Sequence, residues 1–147
     1  MKEILFRGQT RRYGEKVRMG DGFKLPSCWV YGGVLQGVSA HSIIYGGENA
    51  DDPGEGLENW VVYTDTLGQF IGLTDKNGKK IFEGDILRFM AYGTVYTGKV
   101  EFLNGAFWVK CRFHDRIGAI VHEYKPEIIG NIHDNPELLE VPKNGTV

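Results

Sequence analysis

The sequence predicts a mainly β fold, and three observations carry that prediction. Glycine makes up 21 of the 147 residues, about twice its average usage. It is scattered between short runs rich in Val, Ile, Phe and Tyr, the pattern of many strands joined by tight turns. Asn104-Gly105 stands between two such runs, and Asn-Gly is the strongest short-range hairpin signal because both residues tolerate positive φ. From Leu73 to Leu87 the chain holds two further turn signals, Asp75-Lys76-Asn77-Gly78 and Glu83-Gly84-Asp85, each leading into apolar residues.

Taken in order, residues 4–9 read as a strand, with residues 16–19 as its partner across the Arg11-Arg12-Tyr13-Gly14 turn. Residues 29–35 and 42–45 are the next strands, both bounded or interrupted by glycine. Residues 46–56 have almost no apolar content. Such a stretch buries too little surface to offset its ordering entropy, so a mobile acidic loop is expected there. Residues 60–63 and 69–73 follow as strands around the turn Asp65-Thr66-Leu67-Gly68. Beyond the double-turn motif, residues 86–91 lead through Tyr92-Gly93 into 95–103, and Asn104-Gly105 reverses the chain into 106–113. Alternation places Val100 and Phe102 on one face of their strand, opposite Lys99, Glu101 and Leu103. Residues 118–122 and 128–132 complete the strands. The one helical signal is short: in Asp134-Asn135-Pro136-Glu137-Leu138-Leu139, Asn or Asp can cap, Pro fits the first helical position and Glu suits the positive end. Its two leucines are expected to seal the end of a barrel. Five or six consecutive antiparallel strands from residue 84 to 132 fit a small barrel, since closure removes exposed edges; a half-open sandwich is the alternative.

Composition excludes several classes of function. A net charge of −2 gives no global reason to expect nucleic acid or an anionic membrane as partner. Charge is nevertheless uneven. Residues 1–24 carry seven basic side chains against three acidic ones, and residues 48–65 carry six acidic side chains and no basic one. The basic end and the acidic loop can complement each other within a fold or between subunits, or simply be two solvated surfaces. The two cysteines, Cys28 and Cys111, make no disulfide framework and read as small buried hydrophobes. The first residues lack the apolar core of a signal peptide, and no apolar run approaches the length of a membrane span, so a cytoplasmic location with no membrane partner is expected.

A set of motifs resembles a known family. Phe70-Ile71-Gly72-Leu73, Asp75-Lys76-Asn77-Gly78-Lys79 and Ile81-Phe82-Glu83-Gly84-Asp85-Ile86 look like the core of the YopX-like proteins of bacteriophages and prophages. Residues 4–7 agree, and so does Ile128-Ile129-Gly130-Asn131-Ile132-His133-Asp134-Asn135-Pro136-Glu137-Leu138-Leu139. The resemblance runs from about residue 4 to about 140, while residues 20–58 match nothing particular. It implies an SH3-like β-barrel and a phage or prophage context in a bacterial host, and it carries no catalytic residue across. The expected organisation is a mainly β chain with an N-terminal β extension at 1–56, a small SH3-like barrel at 57–140 ending in a short C-terminal helical turn, and a tail at 141–147.

No constellation for catalysis stands out. His114-Asp115, His122-Glu123 and His133-Asp134 pair imidazole with carboxylate, but their spacing fits no zinc motif. Neighbouring residues on a strand also point to opposite faces. There is no Gly-x-Ser-x-Gly elbow, and Cys111 three residues before His114 makes no recognisable dyad. Glu83 and Asp85 are better placed to stabilise their bend by hydrogen bonds to backbone. Gly32-Gly33 and Gly46-Gly47 lack the Lys-Ser/Thr of a phosphate loop. No catalytic residue, cofactor or metal is therefore expected.

Two binding readings remain. Small barrels bind single strands by stacking bases on aromatics beside basic residues. Here Trp108 shares a face with Lys110 and Arg112, Tyr96 and Lys99 lie on the preceding strand, and Arg7, Arg11 and Arg12 can add phosphate contacts. The same alternation also describes an ordinary exposed strand. The favoured expectation is a non-enzymatic module for a protein partner or for itself, oligomeric in the second case. It rests on glycine-rich edges, uneven charge and the apolar excess around residues 29–35.

Overall fold

In a computed structural model the described residues are 3–10, 29–37, 39–54, 58–111 and 124–140. The chain is mainly β and divides into two compact units, Met1–Phe70 and Ile71–Val147. Its strands are β1 (Phe6–Gln9), β2 (Trp29–Leu35), β3 (His41–Gly47), β4 (Asn59–Tyr63), β5 (Gly68–Thr74), β6 (Lys80–Phe82), β7 (Asp85–Ala91), β8 (Thr94–Leu103), β9 (Ala106–Cys111) and β10 (Glu127–Asn131). Short 3-10 turns occupy Thr64–Thr66 and Pro136–Leu139. No helix among the described residues is long and apolar enough to cross a membrane.

In the first unit the strands run β4-β3-β2-β1 with the start of β5 beside β1, all antiparallel. The expected partner of β1 at 16–19 lies outside the described residues. The described neighbours of β1 are β2, through Arg7 opposite Tyr31, and β5, through Arg7 opposite Gly68. β4, expected with the barrel, instead pairs along its length with β3, and Trp60 Nε1 donates to the Gly46 carbonyl at 2.9 Å. Val30, Ile44 and Val62 are fully buried, each stabilising the fold by about 1.5–3 kcal/mol. Phe6, Val34, Trp60 and Leu67 pack around them. The stretch at 46–56, expected as a mobile loop, starts in a strand, because Gly46 and Gly47 are the last residues of β3. Gly46 lies opposite Gly32, and a Cβ on either would run into the other strand's backbone, at the Tyr31 and Tyr45 carbonyls. Asn49 then opens a turn, its side chain accepting from the Asp51 amide at 2.9 Å.

In the second unit the end of β5 runs beside β6, and a four-stranded sheet has the order β10-β7-β8-β9. Ile81, Leu87, Phe89, Ala91, Val100, Val109 and Cys111 form its buried core. Four of the strands expected for a barrel are present, as β7, β8, β9 and β10, but no closed barrel is detected among the described residues: β9 and β10 stand at the two edges of an open sheet. Residues 112–123, which held the expected strand at 118–122, are outside the described set.

The double-turn motif works as a polar staple. Asp75 is buried; its Oδ1 accepts from the amides of Asn77 and Lys79, each at 2.9 Å, and its Oδ2 accepts from the Ile128 amide at 3.1 Å. Asp85 Oδ2 accepts from the Phe82 amide at 2.7 Å, the side-chain to backbone bond expected of this bend. Gly84, at φ +94°, donates to the Val100 carbonyl and accepts from the Ile132 amide. The C-terminal turn differs from expectation in two ways. Asn135 does not cap it; its Oδ1 accepts instead from the Asn131 amide at 3.2 Å. Leu138 and Leu139 are only half-buried, so they do not seal a core.

Candidate interaction surfaces

Strand parity decides what each side of the first unit's sheet presents. Val34-Leu35, Ile43-Ile44 and Val61-Val62 are apolar doublets, and each strand can bury only one member of its pair. Ile44 and Val62 go inward, with Val34 packed against them. Leu35, Ile43 and Val61 go outward, and they are cross-strand partners: Leu35 opposite Ile43, and Ile43 opposite Val61. Leu35 is 58% exposed and Val61 61%. The ladder continues into the exposed His41, whose ring lies 4.9 Å from that of its partner Tyr63. None of these side chains carries a fixed charge. The segments entering and leaving the strands are acidic, with Glu48, Asp51, Asp52, Glu58 and Asp65 all exposed. Contiguous apolar surface with a polar rim is the ordinary mark of a protein-contact site.

The second unit has a smaller apolar patch at the β7–β8 turn. Met90 and Val95 are cross-strand partners, 62% and 58% exposed, and Tyr92 at the tip is 88% exposed. Tyr92 (φ +52°) and Gly93 (φ +75°) both take the left-handed conformation that a two-residue hairpin needs. For a tyrosine that conformation costs about 1–2 kcal/mol. Its ring is braced by Tyr124 at 6.1 Å.

The residues singled out for nucleic acid are only partly brought together. Lys99 and Lys110 are cross-strand partners on the outer face of β8 and β9, and Trp108 on that face lies opposite Glu101. Trp108 is half-buried, with its indole N–H donating to the Leu103 carbonyl at 3.1 Å. Tyr96 faces the other way, three positions from Lys99, and stacks on Phe89 at 5.6 Å within the core. Arg7 is buried too, its guanidinium 4.4 Å over the Trp29 ring, so it offers no surface phosphate contact. Arg11, Arg12 and Arg112 lie outside the described residues. The same face carries compensating acid: Glu127 Oε2 sits 3.3 Å from both Lys76 Nζ and Arg88 Nη2. Hydrogen bonds from Lys76 and Arg88 hold the Glu127 carboxyl below its ordinary range.

Among the described residues no three His, Cys, Asp or Glu side chains gather as a metal-ligand set. His114 and His122 fall outside the described residues. Cys111 is buried in the core, and burial pushes its thiol pKa up, away from nucleophilic use. Sequence reading missed the Leu35–Ile43–Val61 ladder. The signal was present as the three doublets, but only the strand register shows that their outward members meet.

The YopX protein family model matches residues 34–140 of the chain. Among solved structures, the crystal structure of protein EF1440 from Enterococcus faecalis is similar at 32% identity, covering 56% of this chain and 69% of that one, with a TM-score of 0.39. No curated protein matches.

Proposed function

The chain belongs to the YopX family, and from that premise we propose a non-enzymatic module that binds a protein partner or a second copy of itself. The observation that carries this reading is the outward ladder of Leu35, Ile43 and Val61, three cross-strand neighbours on one sheet face. Removing such side chains from water on association is favourable at about 25 cal/mol per Å² of apolar surface. The acidic rim selects a partner whose apolar contact residues are flanked by lysine or arginine. The basic residues at 1–24 of a second copy are of that kind. The setting that goes with this role is the cytoplasm of a bacterial host, from a phage or prophage gene.

The test compares the wild-type chain with a Leu35→Ser/Val61→Thr double variant. Light scattering on the wild type should give a mass above 16.5 kDa, or a pull-down from phage-infected cells should retain a protein that the variant loses. A monomer whose captured proteins are the same for both forms would sink the proposal.

Single-strand nucleic acid is a second reading, favoured only by the opposed Lys99 and Lys110 beside Trp108. Titration with labelled single-stranded DNA and RNA at low salt tests it, and lack of salt-sensitive binding would remove it.

A further inference from the structure

The chain has two described Asn-Gly pairs in tight turns, and the fold treats them differently. At Asn77-Gly78 both amides are engaged by Asp75: the Asn77 amide donates to Asp75 Oδ1 at 2.9 Å, and the Gly78 amide donates to the Asp75 carbonyl at 3.0 Å. The carboxylate of Asp75 takes the amides on either side of Gly78, those of Asn77 and Lys79. At Asn104-Gly105, the tip of the β8–β9 hairpin, both residues are exposed, and among the described residues no hydrogen bond engages the Asn104 carboxamide or the Gly105 amide. A Cβ at either Gly78 or Gly105 would meet nothing within 4 Å, so it is hydrogen bonding and not space that separates the two pairs.

The geometry points to Asn104 as a site of spontaneous backbone-assisted deamidation, with Asn77 protected by the Asp75 staple. The Gly105 amide nitrogen gives up its proton and bonds to Asn104 Cγ. The Cγ–Nδ2 bond breaks, and Nδ2 leaves as ammonia carrying the proton that Gly105 released. Water then opens the succinimide at either carbonyl, giving aspartate or isoaspartate. At Gly78 the amide proton is held in a hydrogen bond, and a neighbouring negative charge opposes forming the nitrogen anion that attacks. The consequence is local. Isoaspartate inserts one extra backbone carbon into a two-residue turn whose length sets the hairpin register. It loosens β9, an edge strand that carries Val109 and Cys111 into the core.

The experiment is peptide mapping of the full chain after incubation at mildly alkaline pH, scoring aspartate and isoaspartate at each position, in buffer and in denaturant. In the folded protein, position 104 should convert several-fold faster than 77, and in denaturant the two rates should converge. Equal rates in the folded protein would overturn the proposal. So would a folded-state preference that persists unchanged in denaturant, which would assign it to flanking sequence instead. An Asn104→Gln variant should lose the new acidic species from the mapped hairpin peptide while the conversion at 77 stays as it was.

Discussion

The double-turn motif of the second unit and the outer sheet face of the first use their side chains in opposite ways. At Asp75 and Asp85 the polar groups are spent inside the fold. One buried carboxylate takes three backbone amides from two segments, and Gly84 bonds to β8 and to the residue after β10. On the face of Leu35, Ile43 and Val61, apolar side chains point to water although their neighbours Ile44 and Val62 are completely buried. A motif dense in recognisable residues can thus have its buried polar groups engaged in structure. The surface we propose for a partner lies where the sequence has no motif.

The contrast can be broken most directly at Asp75. Asp75→Ala leaves three amides without their acceptor and should destabilise the second unit by about 3 kcal/mol, given the strength of hydrogen bonds to a charged group. Hydrogen exchange read strand by strand would locate the loss in β7, β8 and β10. A loss below about 1 kcal/mol would mean that solvent replaces the staple.

Next in size is Gly46→Ala in the first unit, where the new methyl meets the Tyr31 carbonyl across the sheet. We expect about 2 kcal/mol, the ordinary cost of overpacking. Protection in β2 and β3 should fall, and unchanged protection would show that the strands can part without penalty.

The ladder itself predicts a small stability effect and a large binding one. Leu35→Ser/Val61→Thr should shift the urea midpoint by no more than about 0.5 kcal/mol equivalent, as surface changes do, while association is lost. A substantial loss of stability would show that the ladder is part of the fold and not a contact surface.

The smallest effect concerns Glu127. Its folded pKa lies below the ordinary 4.5 because Lys76 and Arg88 hydrogen-bond the charged form. The stabilisation is complete above 4.5 and disappears as pH falls from there through the lower folded value. Between these limits wild type should lose slightly more stability than Glu127→Gln, and added salt should shrink the difference, since the pair is exposed. Parallel acid profiles for the two proteins would show that the triad contributes nothing.

Much of the fold was legible in the chain. The strands at 29–35, 60–63, 86–91 and 95–103 coincide closely with β2, β4, β7 and β8, because runs of β-branched and aromatic residues between glycine turns leave the backbone few alternatives. Asn104-Gly105 is a left-handed turn, as its residue types favour, and Tyr92-Gly93 is one although tyrosine opposes that conformation. The candidate site was less legible. Tyr96 and Lys99 read as a pair by proximity along the chain, yet an odd spacing on a strand sends them to opposite faces. Arg7 reads as a surface cation from the sequence, yet it is buried over the Trp29 ring, a partner distant in the chain.

Local periodicity by itself settled that this chain is made of antiparallel strands, where most of them run and where they turn, since those properties depend on neighbouring residues and backbone sterics. Only the tertiary structure decided that β1 lies between β2 and β5, that β4 joins β3, and which member of each apolar doublet faces water. Those outcomes follow from pairing between segments far apart in sequence. A one-residue change of register would exchange the inner and outer faces without altering any local pattern.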